Sequence, residues 1–294
     1  MAQSIAQRQN MIFPFSYINH NFIESHQASI SPDDRSFLFG VGVYESIAIE
    51  KGIPFLLPRH INRLIKNLAL LNIPNPYSHQ KWMSLVEALI EHNQAIKAKC
   101  YLQVTDGAAV ERHHANSGEP NVYIKLYPWE TQPNNFNVIT VKDERWALPH
   151  VKSTSLLANT LAAKKAKLEG CCEAIFVDSD LLAHECSSSN FFIVKNNIVV
   201  TPPANNKLVN GITRQVVLEL CHSNHISYRE ESISKNDLFE ADEMFITSTY
   251  RKVHPIHQID NQSINQGNTG PITNKIMSLY NHYKMEQHLC ITNS

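Results

Sequence analysis

The stretch that decides the reading opens His150-Val151-Lys152-Ser153-Thr154 and runs through Leu156-Leu157-Ala158-Asn159 to Glu169. It continues as Glu173-Ala174-Ile175-Phe176-Val177, then Glu185-Cys186-Ser187-Ser188-Ser189-Asn190, and closes on Phe191-Phe192-Ile193-Val194. Leu156 to Glu169 has helical length and pattern, whereas 173–177 and 191–194 are short apolar runs of strand length. Lys152 therefore stands just ahead of a helix and Glu185 just ahead of a strand. Taken singly, a lysine or a glutamate at such a junction is usually a solvated surface group.

Outward from this stretch the second half keeps alternating. Strands are expected at 137–142, 198–201 and 243–248, and helices at 213–222 and 271–287. Alternation of this kind predicts a mixed α/β fold. The first half reads as a strand at 12–18, a turn at Pro32-Asp33-Asp34-Arg35, a strand over 37–49 and a hairpin tip at Glu50-Lys51-Gly52. Ile61, Leu64, Ile65, Leu68 and Leu71 recur at helical spacing and predict a helix over 59–71. A second helix runs from Ser78, a suitable N-cap, to Asn93. Strands follow at 99–105 and 121–127. The Pro- and Asn-rich 128–136 reads as a linker between a small α/β domain, 1–127, and a larger domain, 137–294.

A chain of 294 residues, 43% of them hydrophobic, can bury two ordinary cores. Its formal charge of −1 lacks the basic excess that nucleic acid would demand. The 15 histidines are scattered without zinc-site spacing, so no metal is expected. The 6 cysteines form no disulfide framework, which suggests reduced thiols in a cytoplasm. Residues 1–9 are polar rather than signal-like, and no apolar run approaches the roughly 20 residues that span a bilayer.

Lys152-Ser153, Leu156-Leu157-Ala158-Asn159, Glu173-Ala174-Ile175, Glu185 to Asn190 and Asn210-Gly211-Ile212-Thr213-Arg214 occur in this order. Together they resemble the signature of the class IV (fold type IV) aminotransferases. That family includes D-amino-acid transaminase, branched-chain aminotransferase and aminodeoxychorismate lyase. The likeness extends from Asp34 to Ile256. It implies a small α/β domain followed by a larger barrel-like one, with pyridoxal 5'-phosphate as cofactor.

The resemblance also implies roles. Lys152 would bind the cofactor's aldehyde and later move the substrate's α-proton. An amine reacts only when neutral, so neighbouring cations would help, and Arg145 and His150 would supply them if folded inward. Glu185 would face the pyridine nitrogen, although Cys186 follows it where the family commonly has Gly. Ser187 to Ser189 would hold their loop through hydroxyl-to-backbone bonds. Gly211, Ile212 and Thr213, where a loop feeds a helix, would seat the phosphate on free N–H groups. Ser248 and Thr249 match a second phosphate-side loop, and Arg63 matches the family's phosphate-binding arginine. Tyr44, in Gly42-Val43-Tyr44-Glu45, matches a tyrosine near the substrate. Arg112 and His114 resemble the carboxylate trap of the D-amino-acid branch, which reaches the other subunit's site and implies a homodimer. Asp106 stands where the family often has Arg. The expected reaction moves the amino group of a D-amino acid of the D-alanine type to a 2-oxo acid such as 2-oxoglutarate. The alternatives are branched-chain L-amino-acid transamination and aminodeoxychorismate lysis.

Overall fold

Alternating apolar residues build the first sheet. The computed structural model describes residues 13–129 and 135–292. Its N-terminal elements are β1 (Phe15–Ile18), β2 (Asn21–Glu24), α1 (Arg35–Phe39), β3 (Gly42–Glu50), β4 (Ile53–Pro54), α2 (Leu57–Leu70), α3 (His79–His92), β5 (Lys97–Thr105) and β6 (Asn121–Tyr127). The strands form one six-stranded sheet in the order β2-β1-β6-β5-β3-β4, antiparallel throughout. Ala98, Cys100, Leu102 and Val104 alternate inward along β5, as Val122, Ile124 and Leu126 do along β6. These residues share one core with Ile61, Leu64 and Leu68 of α2 and Trp82, Leu85 and Leu89 of α3.

Local chemistry moves some boundaries. The expected strand over 37–49 is divided, because the Asp34 carboxylate accepts the Ser36 N–H and starts a short helix. Gly40, at φ 73°, ends that helix, and the strand begins only at Gly42. Helix α2 starts two residues before Arg59, with Pro58 in the first turn, where its missing N–H is harmless. Ser78 caps α3 by accepting the Lys81 N–H at 3.2 Å.

The remaining elements are β7 (Asn137–Lys142), α4 (Leu157–Leu168), β8 (Glu173–Val177), β9 (Leu182–Cys186), β10 (Asn190–Lys195), β11 (Ile198–Thr201), α5 (Ile212–Ser223), β12 (Tyr228–Glu230), β13 (Ile233–Ser234), α6 (Lys235–Phe239), β14 (Glu243–Ser248), β15 (Lys252–Ile256), β16 (Gln258–Ile259), β17 (Gln262–Ser263) and α7 (Pro271–Thr292). They make a five-stranded sheet, β12-β11-β10-β14-β15, and a six-stranded sheet, β13-β9-β8-β7-β16-β17. Strands β7 and β8 are parallel, and α4 between them packs Ala162 and Ala166 against Ile139, Ala174 and Phe176. Strand β9 adds to the sequence reading: Glu185 precedes the expected strand, here β10, and itself lies in a strand that was not expected. Its polar Ala183-His184-Glu185 run hid it.

The chain divides into two compact units, Met1–Thr131 with Val151–Ser155, and Gln132–His150 with Leu156–Ser294. No change of composition marks the return of the Lys152 segment to the first unit. The expectations for residues 1–9, for Ile12 and for 130–134 of the 128–136 linker lie outside the described residues. Among the described residues no helix is long and apolar enough to cross a membrane.

Trp82 is fully buried, and its indole N–H donates to Asn75 Oδ1 at 2.9 Å. Trp82→Ala is expected to cost about 3–5 kcal/mol, read as a lower urea midpoint by circular dichroism. Conservative replacement by Phe should cost less.

Candidate active site

In the first unit Lys152 is set by β3. The Tyr44 N–H donates to Lys152 O at 3.0 Å and the Thr154 N–H to Gly42 O at 2.9 Å. The hydroxyls of Thr154 and Ser155 both donate to Gly40 O, at 2.9 and 3.0 Å. This backbone register places Lys152 Nζ 4.4 Å from the centre of the Tyr44 ring. Tyr44 stacks in turn on Tyr101, with centroids 5.6 Å apart. The structure thus brings together Lys152 and Tyr44, two of the three residues expected to be catalytic.

The next residue of β3 carries a site that the sequence reading missed. Glu45 is fully buried and receives both Nε and a terminal nitrogen of Arg63, at 2.7 and 2.8 Å. His60 Nδ1 lies 2.7 Å from the same carboxylate. Burial opposes ionisation of Glu45, but the charge and hydrogen bond of Arg63, with those of His60, outweigh it and hold the carboxyl well below its usual range. Burial likewise pushes His60 down against the opposing pull of Glu45, with the charges of Arg63 and Lys152 pushing the same way as burial. Arg63 therefore does not lie on a solvated face; its orientation is fixed by a buried acid. The available signal was His60 and Arg63 one helical turn apart.

Arg112 and His114 are exposed in the single chain. Both converge on Phe39: the guanidinium lies 4.9 Å from the ring centre, and the imidazole and phenyl centroids are also 4.9 Å apart.

In the second unit Glu185 is buried, with partners on both carboxylate oxygens. Its Oε1 accepts from Arg145, and its Oε2 accepts from Asn190 Nδ2 at 3.3 Å and the Val209 N–H at 3.2 Å. Arg145 also grips Asp143, at 3.0 and 2.7 Å, and lies over the Phe176 ring. Burial works against the Arg145 charge, but the hydrogen bonds and charges of Asp143 and Glu185 outweigh it and push its pKa up. Arg145 is committed to two acids, and His150 Nδ1 meets Asn206 O at 3.1 Å.

Cys186 needs no glycine-like backbone, since it closes β9 without a positive φ. The serine loop is also held differently from expectation. Ser187 and Ser188 donate their hydroxyls to the buried Glu173 carboxylate, while Asn159 Nδ2 donates to Ser187 O at 3.0 Å.

The donor set ahead of α5 suits a phosphate. Gly211 is the N-cap, no side chain caps the helix, and Ile212 and Thr213 are buried. A Cβ on Gly211 would meet Asn190 Oδ1 at 2.1 Å, so only glycine fits. Arg214 is structural, bonded to Pro202 O at 2.8 Å and Glu230 at 2.5 Å. Thr247, beside Asn190 in the sheet, has a buried hydroxyl with no hydrogen-bond partner among the described residues. Ser248 and Thr249 follow it, and Ser248 Oγ accepts the Arg251 N–H at 3.2 Å. An uncapped helix start, an unsatisfied hydroxyl and a buried carboxylate match the phosphate and ring nitrogen of pyridoxal 5'-phosphate.

Comparison with known proteins agrees with this chemistry. Residues 42–259 match the family described as amino-transferase class IV. A D-alanine aminotransferase of Bacillus licheniformis is 37% identical over 265 residues, covering 88% of this chain and 93% of that protein. A branched-chain aminotransferase from the thermophilic archaeon Thermoproteus uzoniensis, solved with norvaline, superposes with TM-score 0.82 at 24% identity, covering 91% and 93%. A Legionella pneumophila chain assigned as a 4-amino-4-deoxychorismate lyase gives TM-score 0.82 at 25% identity, covering 88% and 96%. The two structures share the fold.

The depressed Glu45 carboxyl gives a signed prediction. Its stabilisation is complete above the unfolded value of about 4.5 and is lost as pH falls below it. Glu45→Gln is expected to lower stability by about 3 kcal/mol or more at neutral pH, because Arg63 is left uncompensated. The gap to the wild type should narrow in urea titrations run progressively below pH about 4.5.

Proposed function

We propose that this chain, which belongs to the class IV aminotransferases, moves the amino group of a D-amino acid of the D-alanine type to a 2-oxo acid such as 2-oxoglutarate by ping-pong exchange. The observation that carries this substrate reading is the convergence of Arg112 and His114 on Phe39. A guanidinium and an imidazole offered by one loop suit a carboxylate through charge-assisted hydrogen bonds. The relatives named D-alanine aminotransferase point the same way.

Pyridoxal 5'-phosphate, the family's cofactor, supplies an aldehyde that takes up the amino group and a ring that accepts the electron pair released at the substrate's α-carbon. In this reading Lys152 Nζ would hold the cofactor's aldehyde, and the same Nζ, when free, would take the substrate's α-proton as a base and return it as an acid. The Tyr44 ring face steadies Nζ when it carries the proton. Glu185, with Arg145 fixing its orientation, would face the ring nitrogen. Gly211, Ile212 and Thr213, with Ser248 and Thr249, would hold the phosphate, and Arg63 would add positive charge there. Arg112 and His114 bind the substrate carboxylate in the site of the other subunit of a homodimer. The described cysteines all carry free thiols, in keeping with a cytoplasmic setting.

The test is a set of half-reactions on the holoenzyme. D-alanine and D-glutamate are expected to bleach the aldehyde-form absorbance faster than L-leucine does, with loss of the signal to L-leucine alone overturning the D-specific reading. Stoichiometric pyruvate from aminodeoxychorismate without consumption of a 2-oxo acid would favour the lyase. Lys152→Ala is expected to cut kcat by about 10²–10⁴-fold or more, measured as keto-acid formation from D-alanine.

A further inference from the structure

Asp106 is buried and ion-paired. Its Oδ2 accepts from Arg35 Nε at 2.9 Å, with the two side chains 7% and 5% exposed. The two terminal nitrogens of the same guanidinium donate to His113 O at 2.9 Å and His114 O at 2.6 Å. Arg35 thus uses one edge of its fork on an acid and the rest on consecutive carbonyls of the loop that carries Arg112 and His114. One helical turn on, Phe39 lies 5.2 Å from the Arg35 guanidinium and is the ring on which Arg112 and His114 rest.

The loop's neck is closed as firmly as its tip. The Arg35 N–H donates to Gly107 O at 2.8 Å and the Gly118 N–H to Asp106 O at 2.9 Å. Gly107 has φ 69°, and a Cβ there would meet Glu119 O at 1.9 Å; one on Gly118 would meet Ala108 O at 2.3 Å. Helix α1 is itself fixed, because Asp34 Oδ2 accepts from Thr105 Oγ1 at 2.6 Å and Asn121 Nδ2 at 2.7 Å.

We propose that Arg35 and Asp106 are positioning residues for substrate carboxylate binding: their buried pair fixes the loop that presents Arg112 and His114. The inference rests on the reading of those two residues as the carboxylate trap. Lysine cannot replace Arg35, because one ammonium does not reach an acid and two carbonyls in a planar fork. An arginine at 106 would set two guanidinium groups against each other. Asp106 is therefore the residue that leaves Arg35 able to hold the loop, and it ties this chain's substrate preference to an ion pair remote from the reacting atoms.

The test compares wild-type holoenzyme with Arg35→Lys, Asp106→Asn and Arg112→Ala, and with the Asp106→Asn/Arg112→Ala double variant. Readouts are KM and kcat for D-alanine, thermal midpoint, cofactor absorbance, and the rate of tryptic cleavage after Arg112. Arg35→Lys and Asp106→Asn are expected to raise KM about tenfold, with kcat within about threefold and absorbance unchanged, and to speed cleavage. The double variant should raise KM by less than the product of the two single effects, since Asp106→Asn can then act only through His114. If Arg112→Ala raises KM while Arg35→Lys and Asp106→Asn do not, the positioning role falls and the trap stands. If KM, kcat and thermal midpoint worsen together, the pair is merely structural and the inference falls. If Arg112→Ala leaves KM unchanged, the trap reading itself fails and takes the inference with it.

Discussion

Two backbone hydrogen bonds, Tyr44 N–H to Lys152 O and Thr154 N–H to Gly42 O, hold Lys152 against the edge of β3. A lysine carries a long, entropically costly side chain, and chemistry at its tip needs the base of that chain fixed first. The strand that fixes it also provides the tyrosine face beside Nζ and, one residue on, Glu45. Successive residues of a strand point to opposite faces, so β3 serves the lysine with Tyr44 and α2 with Glu45. Arg63 and His60 then take their orientation from that acid.

The same logic recurs wherever charge is buried. Glu45 with Arg63, Asp106 with Arg35, and Glu185 with Arg145 are each partnered with hydrogen-bonding geometry. Taking such charges out of water is expensive, and a hydrophobic pair would often serve stability as well. What the pairs give is direction. An arginine fork fixes the plane of a carboxylate, and a carboxylate fixes the reach of an arginine.

Legibility in the sequence followed the physics of each element. Helices α2 and α3 and strand β5 were readable because each buries one face, which imposes period on the residues. Helix α1 was not, since the Asp34 cap and Gly40 overrode an apolar run that reads as strand. Strand β9 was hidden because Glu185 and His184 are buried through polar partners rather than apolar ones. Among the candidate site residues, Lys152, Glu185 and the Gly211 turn were legible only through their resemblance to the class IV signature, since each alone reads as a surface group or an ordinary helix cap. Glu45, His60, Arg35 and the Arg145 partnership were not legible. Their meaning lies in contacts between distant positions, as far apart as Arg35 and Asp106, that periodicity does not encode.

Val151–Ser155 belongs with the first unit although the intervening residues, Gln132–His150, belong with the second. Neither unit is therefore one continuous piece of chain. A chain cut at 131 would keep every strand of the N-terminal sheet yet lack the Lys152 carbonyl and the Thr154 amide that bond to β3, so that sheet is completed only by a segment made after part of the second unit.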